Sequence, residues 1–166
     1  MELRSVEAIV RALNSADVRY LIVGGLAVNA HGYVRLTVDV DLVVALEFEN
    51  IVKALRALKA IDYHPTIPIT PEQFANRDLR ERWRRDKQML VLKLWSDQHR
   101  RTGIDVFVEE PFPFDQEYRR AVHHTIVAGV AAPIVSYATL LEMKAAAGRP
   151  KDLLDIEALR KLEPYR

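Results

Sequence analysis

Hydrophobic and polar positions in the first half of the chain alternate between helical spacing and short apolar runs. Apolar residues three and four positions apart predict amphipathic helices over residues 2–15 and 48–60. Between these helices, the apolar run at 20–23 predicts a buried strand, and residues 38–46 predict a second strand. Residues 26–31 fit a short helix. The pattern therefore predicts strands and helices that alternate along the chain.

The second half of the chain predicts further strands and two C-terminal helices. Three prolines within residues 64–71 exclude a regular helix there and predict a loop. The basic segment 77–87 is predicted to be a loop with one helical turn. Four apolar stretches predict strands or strand edges, at residues 89–95, 104–108, 126–130 and 134–135. Residues 137–147 and 152–162 are predicted to be two helices, joined at Gly148-Arg149-Pro150.

Composition excludes several classes of protein. The chain has 166 residues, which fits one domain with its own core, and 49% of them are hydrophobic. It contains no cysteine, which excludes disulfides, thiol nucleophiles and cysteine-rich zinc sites. No apolar run approaches the roughly 18 residues that span a bilayer, and the N-terminus lacks the build of a signal peptide. We therefore expect a cytoplasmic protein without a membrane partner.

The net charge is close to neutral but unevenly distributed. Lysines and arginines number 24 against 23 aspartates and glutamates, a formal net charge of +1. Residues 77–87 hold six basic side chains and three acidic ones. Binding along a nucleic-acid backbone needs many cations, so the near-neutral balance argues against nucleic-acid binding as the main role.

A glycine pair follows the first predicted strand. A strand that ends in Gly24-Gly25 and opens a helix leaves backbone N–H groups at the positive end of the helix dipole, where a phosphate can approach closely. The pair is not a dinucleotide fingerprint or a P-loop, because the further residues of those motifs are missing. Glycine is also common in tight strand-to-helix turns, so a purely structural role stays open.

Two aspartates interrupt the second predicted strand. Asp39 and Asp41 are two residues apart, so their carboxylates share one face of the strand. Like charges this close repel each other unless a cation lies between them, and magnesium binds one or two carboxylates together with substrate phosphates. Alternatively, both aspartates lie on a solvated face and pair with Arg35 or a lysine.

A third aspartate lies within another apolar run. Asp105 is flanked by Ile104 and Val106, where an unpaired charge is costly. With the first two aspartates it would supply a ligand for a second metal ion, or a base for an attacking hydroxyl. Taken alone, an aspartate after Gly103 is also typical of a turn.

These residues together resemble a known signature. Gly24-Gly25, thirteen intervening residues and Asp39-Val40-Asp41 resemble the nucleotidyltransferase motif of the DNA polymerase β superfamily. More narrowly, the glycine pair with His31-Gly32, Arg35, Thr37 and the aspartates is similar to the small AbiEii/AbiGii toxin-type nucleotidyltransferases. The segment 143–155 is similar to their Lys…Arg-x-Lys-Asp-x-x-Asp stretch.

The resemblance implies a fold and a reaction. The fold is an α/β (α+β) fold whose mixed, mostly antiparallel central sheet is flanked by helices. It forms one domain over residues 1–166, with a core at about 18–135 and a C-terminal helical segment at about 136–166. The reaction transfers a nucleoside monophosphate from a nucleoside triphosphate to a hydroxyl, in RNA, a protein or a small molecule. One or two Mg²⁺ ions assist, and pyrophosphate leaves.

The resemblance also implies roles for individual residues. The catalytic and metal-binding carboxylates would be Asp39, Asp41 and Asp105. The nucleotide-binding residues would be Gly24, Gly25, Arg35, Thr37, Lys144 and Lys151. For Lys151, Asp152 and Asp155 an ion-pair network at the start of a helix is an open alternative to a catalytic role.

The biological setting stays open at this point. The chain is short for this superfamily, so a partner protein or a homodimer contact is expected to complete the cleft. A toxin–antitoxin system is one setting that the resemblance implies. The alternative to an enzyme is a catalytically inactive nucleotide-binding or protein-interaction module of such a pair.

Overall fold

A seven-stranded mixed sheet organises the chain, in a computed structural model that describes residues 1–162. Residues 163–166 of the predicted C-terminal segment lie outside the described residues. The strands are β1 (Tyr20–Val23), β2 (Asp39–Val44), β3 (His64–Pro65), β4 (Val91–Trp95), β5 (Gly103–Phe107), β6 (Val122–Val127) and β7 (Val130–Ile134). The helices are α1 (Leu3–Ser15), α2 (Gly24–Ala30), α3 (Phe48–Ala60), α4 (Pro71–Ala75), α5 (Arg77–Lys87), α6 (Phe114–Arg120), α7 (Tyr137–Ala147) and α8 (Pro150–Leu162).

The strand order across the sheet is β3-β4-β5-β2-β1-β7-β6. Pairs β1–β7 and β2–β5 are parallel, and the other neighbouring pairs are antiparallel. The predicted mixed, mostly antiparallel sheet flanked by helices is therefore confirmed. Among residues 1–162 there is no helix with both the length and the apolar character needed to cross a bilayer.

The core forms where apolar runs and helical stripes meet. All four residues of β1 are buried, as expected for a strand between two others whose faces are both covered. Helix α1 buries Ile9, Val10 and Leu13, and α3 buries Ile51 and Leu58, on the stripes that the sequence predicts. Each such side chain contributes roughly 1.5–3 kcal/mol of transfer free energy.

The basic segment is a regular helix, and the prediction of a loop there was wrong. Helix α5 begins after Asn76, whose side chain accepts a hydrogen bond from the Leu79 backbone at 3.0 Å. Arg80 is buried, and its guanidinium donates to the carbonyls of Phe74 and Ala75 at 2.7 and 2.8 Å, at the end of α4. Basic side chains in the last turn stabilise the helix, because they lie near the negative end of its dipole.

Smaller differences concern the element boundaries. Helix α2 begins at Gly24, two residues before the predicted start, so both glycines belong to its first turn. Residues 64–71 include the two-residue strand β3 as well as loop. Strand β7 lies beside the central β1 and is not a sheet edge, whereas β6 is the outermost strand on that side.

The sheet register brings the candidate residues to one place. Val23, the last residue of β1, is paired with Asp41 across the antiparallel β1–β2 ladder. Asp41 is in turn the partner of Asp105 in the parallel β2–β5 ladder. Lys93 lies opposite Asp105 in the β4–β5 hairpin. Three neighbouring strands and the glycine turn therefore converge on Asp41.

Candidate active site

The glycine turn and the second aspartate of the pair are in direct contact. Gly24 has a φ of +64°, in the left-handed region that side chains disfavour. A Cβ atom placed on Gly24 would lie 1.9 Å from Oδ2 of Asp41. The backbone N–H of Gly25 donates a hydrogen bond to the Asp41 carboxylate. Glycine at position 24 therefore leaves the space that the Asp41 carboxylate occupies at the start of α2.

The other two aspartates lie on the same part of the sheet. Asp39 and Asp41 are two residues apart in β2, so their side chains point to the same face. Oδ1 of Asp39 lies 2.6 Å from the position of a Cβ on Gly103, the partner of Asp39 on β5. The parallel register thus gathers Asp39, Asp41 and Asp105 beside one another.

The alternative of a solvated, ion-paired aspartate pair does not hold in this structure. Within residues 1–162, neither Asp39 nor Asp41 makes a salt bridge to an arginine or a lysine. Arg35, the suggested partner, binds Asp155 instead, with Nε and Nη2 at 2.5 and 2.8 Å from the two carboxylate oxygens. The pair therefore retains negative charge that no neighbouring side chain neutralises directly.

This charge perturbs the ionisation of Asp41. Burial raises the pKa of Asp41 to about 6, and the negative charges of Asp105 and Asp39 act in the same direction. The hydrogen bond from Gly25 and the positive charge of Lys144 lower the pKa but do not restore its ordinary value. A cation close to the carboxylate would favour the ionised form, and so would offset the effects of burial and of the neighbouring negative charges on the pKa.

Asp105 differs from the other two because it has a cationic partner. Nζ of Lys93 lies 3.3 and 3.2 Å from its two carboxylate oxygens. The Lys93 side chain is 62% exposed, whereas that of Asp105 is 17% exposed. Asp105 is therefore neither an unpaired charge within the strand nor a turn residue, because it lies inside β5 with an ammonium group across the hairpin.

The loop between α2 and β2 covers the glycine turn from one side. Oγ1 of Thr37 lies 2.5 Å, and Nη1 of Arg35 3.3 Å, from the position of a Cβ on Gly25. Arg35 also donates from Nη1 to the carbonyl of Leu36 at 3.0 Å. Both predicted nucleotide-binding residues of this loop thus lie against the turn, with the guanidinium held by Asp155.

A buried ionic network joins the two C-terminal helices to this loop. Nζ of Lys144 lies 2.8 Å from a carboxylate oxygen of Asp152 and 2.8 Å from one of Asp155. All three residues are buried. Burial would raise the pKa of each aspartate, but hydrogen bonds from Lys144 and from Arg149 or Arg35 outweigh it, so both pKa values are lowered.

The network has consequences for two predicted roles. Asp152 and Asp155 form the ion-pair network that the sequence left open as an alternative. Lys144 forms ion pairs with both carboxylates, and its positive charge also lowers the pKa of Asp41. Lys151 is exposed and lines the same cavity as the glycines.

Arg149 is a candidate residue that the sequence analysis did not single out. Its Nε donates to the buried Asp152 carboxylate at 2.6 Å, while 59% of the side chain stays exposed. The hydrogen bond to Asp152 raises the pKa of Arg149, and the charge of Asp41 contributes, so the guanidinium lies within electrostatic reach of that carboxylate. Its only sequence signal is its place in the Arg-x-Lys-Asp stretch.

All of the site residues predicted from the sequence line one cavity of about 710 Å³. The glycines, the three aspartates, Arg35, Thr37, Lys144 and Lys151 line it together with Lys93 and Arg149. Phe107, Phe112 and Met143 add apolar surface. A larger cleft of about 1080 Å³ lies at the opposite ends of β2 and β5, next to α5 and α6, and contains none of the predicted site residues.

The carboxylates fit a hard divalent cation in part. Within residues 1–162, no three or more histidine, aspartate or glutamate side chains are arranged to hold a metal ion by themselves. Magnesium does not require such a cage, since it is bound by one or two carboxylates and completes its shell with water and phosphate oxygens. Asp39 and Asp41 supply suitable oxygen ligands, without cationic partners, next to backbone N–H groups for a phosphate.

Comparison with known proteins identifies similar solved structures. The sequence matches no protein-family model and no curated protein. The lincosamide antibiotic adenylyltransferase LnuA, solved with lincomycin bound, is similar with a TM-score of 0.62 at 15% identity, over 95% of both chains.

Two further structures are similar. An antigenic nucleotidyltransferase-like protein from Paracoccidioides brasiliensis has a TM-score of 0.57 at 20% identity, over 97% of this chain and 76% of that one. A candidate nucleotidyltransferase from Thermotoga maritima has a TM-score of 0.58 at 14% identity, over 99% and 93%. The chain therefore has the nucleotidyltransferase fold.

Proposed function

We propose that the protein is a magnesium-dependent nucleotidyltransferase that transfers a nucleoside monophosphate from a nucleoside triphosphate to a hydroxyl group. The observation that carries this proposal is the contact between the glycine turn and Asp41, with Asp39 and Asp105 alongside. Backbone N–H groups bind phosphate oxygens, and carboxylates without cationic partners bind a divalent ion. A metal–triphosphate complex would therefore contact both. The nucleotidyltransferase fold of the chain and of LnuA supports the same reaction class.

The chain's own residues divide into three roles in this proposal. The first turn of α2 would bind the triphosphate through the backbone N–H groups of Gly24 and Gly25, the latter shared with the Asp41 carboxylate. Asp39 and Asp41 would hold the cation. Arg149 and Lys151 lie on the α8 side of the cavity and neutralise phosphate charge there. Arg35 and Lys144 act from the buried network, which fixes the position of α8 relative to the turn.

A bound magnesium ion would supply charge neutralisation at the transferred phosphorus and on the departing pyrophosphate. Asp105 lies next to Asp41, and in this proposal it accepts the proton of the attacking hydroxyl. Phe107, Phe112 and Met143 offer an apolar surface for a base or for the acceptor. Since LnuA is named for adenylyl transfer to an antibiotic and covers 95% of this chain, it favours a small molecule among the three acceptor classes that the sequence left open.

Calorimetry with each of the four nucleoside triphosphates, with and without Mg²⁺, tests the binding step. Wild type should bind at least one triphosphate only when Mg²⁺ is present. The Asp39→Ala/Asp41→Ala variant should lose this binding while it keeps a cooperative unfolding transition. Magnesium-independent binding, or no binding by the folded wild type, would overturn the proposal.

Label transfer separates the enzyme from its rival, an inactive nucleotide-binding module of a toxin–antitoxin pair. The protein is incubated with triphosphates labelled at the α-phosphate and with cell extract, and RNA, protein and small-molecule fractions are counted. An enzyme moves the label into one fraction and releases pyrophosphate. Binding without any label transfer would favour the module.

A further inference from the structure

The third carboxylate of the site is already paired with an ammonium group, and this pairing affects how many metal ions the site can hold. Lys93 and Asp105 are cross-strand partners in the β4–β5 hairpin. Directly opposed residues of an antiparallel pair have their side chains on the same face, so the ionic contact follows from the register. Nζ of Lys93 lies 3.2 and 3.3 Å from the two oxygens of Asp105.

The contact involves both oxygens of the Asp105 carboxylate. A divalent ion bound to Asp105 would need at least one of those oxygens and would lie within a few ångströms of the ammonium group. Two cations this close repel each other strongly in a partly buried site. Asp39 and Asp41, in contrast, have no such cationic partner among residues 1–162.

We infer that Lys93 takes the place of a second divalent cation, so that the site binds a single metal ion, between Asp39 and Asp41. This inference rests on the proposed nucleotidyltransferase function. The ammonium group offsets the charge of Asp105 without a bound ion, whereas a second metal ion would do so only when bound.

Lys93 is well suited to a substitution test because it contributes little to the core. Its side chain is 62% exposed, and its strand neighbours Leu92 and Leu94 carry the burial of β4. Lys93→Met keeps most of the length of the side chain and removes the charge. Lys53→Met is the matched control, since Lys53 is exposed on α3 and does not line the cavity.

The measurement is the number of Mn²⁺ ions bound per chain in equilibrium dialysis, with Mn²⁺ alone and with the four α,β-methylene nucleoside triphosphates. Wild type and Lys53→Met should saturate at one ion per chain in the presence of the bound analogue. Lys93→Met should saturate at two ions per chain. Lys93→Arg, which keeps the positive charge, should return to one.

The outcomes separate this inference from the proposed function. Two ions on wild type, or one ion on Lys93→Met, would overturn the role of Lys93 and leave the nucleotidyltransferase proposal standing. If neither Mn²⁺ nor any analogue binds to wild type, the proposed function fails, and the inference fails with it. Thermal unfolding of each variant shows that a changed ion count does not come from lost structure.

Discussion

A Cβ atom on Gly24 would lie 1.9 Å from Oδ2 of Asp41, so the first residue of α2 and the middle carboxylate of the site share one space. This contact ties the conformation of the turn to the position of the metal-binding candidate. A change on either side is therefore expected to affect both stability and nucleotide binding.

Gly24→Ala is expected to destabilise the protein and to abolish triphosphate binding. A left-handed φ costs a non-glycine residue about 1–2 kcal/mol, and overpacking against the Asp41 side chain adds about 1–3 kcal/mol. Urea unfolding and calorimetry measure the two effects. Gly129→Ala is the control, because Gly129 has a φ of +78° but open space around its Cβ position. Equal losses in the two variants would show that the Asp41 contact has no cost of its own.

Asp41→Asn is expected to stabilise the protein without metal while it removes metal binding. The pKa of Asp41 is raised to about 6 in the fold against an ordinary value of 3.8, so its ionised form costs stability above pH 6. The cost amounts to at most about 3 kcal/mol at pH 7 and disappears as the pH falls through 6 toward 4.

The pH profile of stability checks this prediction. Wild type should gain stability as the pH falls from 7 to 5, because the folded state takes up the proton before the unfolded state does. Asp41→Asn should lack that gain. The exposed Asp97, paired with Arg100 at 3.0 Å, gives the control Asp97→Asn, with an expected change within about 0.5 kcal/mol. A flat wild-type profile over this range contradicts the raised pKa.

Lys144→Met is expected to destabilise the protein strongly. It leaves the buried carboxylates of Asp152 and Asp155 each short of one cation, and breaking a buried pair typically costs about 3–5 kcal/mol. Lys161→Met is the matched control on α8, where a 2.6 Å pair with Glu157 is exposed on both sides and is worth less than about 1 kcal/mol. Denaturant midpoints of the two variants, measured side by side, show how much the network contributes to the stability of the fold.

Arg149→Ala is expected to weaken triphosphate binding selectively. Hydrogen bonds to a charged phosphate are worth about 1.5–3 kcal/mol, or roughly tenfold to a hundredfold in affinity. Affinity for the triphosphate should fall, and affinity for the monophosphate should stay nearly constant, if the guanidinium contacts the outer phosphates. Arg160→Ala, on α8 outside the cavity, should leave the whole series unchanged. A uniform loss across the series would assign Arg149 to the fold alone.

The fold was largely predictable wherever burial dominates the sequence pattern. Strand β1 and helices α1 and α3 follow from apolar periodicity, since each buries one face or all of its residues. Helix α5 was missed because its mean hydropathy is very low and its buried residue is an arginine. Arg80 finds its acceptors on α4, and such a partner is not visible from local spacing.

The sequence predicted which residues form the site, but not the ion pairs that they make. The sequence alone suggests that Asp39, Asp41, Asp105 and the glycine pair belong together, and the β2–β5 register brings Asp105 beside Asp41. The pairing of Lys93 with Asp105 depends on the register of the β4–β5 hairpin. The sequence does not reveal that register, because it does not reveal the geometry of the connecting loop. The clamping of Lys144 likewise depends on how α7 packs on α8.

The most direct test of the account is the position of a bound metal ion in crystals of the wild-type protein grown with Mn²⁺ and an α,β-methylene nucleoside triphosphate. The account predicts one anomalous-scattering peak per chain within roughly 2.5 Å of carboxylate oxygens of both Asp39 and Asp41, with the phosphates at the first turn of α2. A peak elsewhere, or a triphosphate bound away from Gly24 and Gly25, would contradict it.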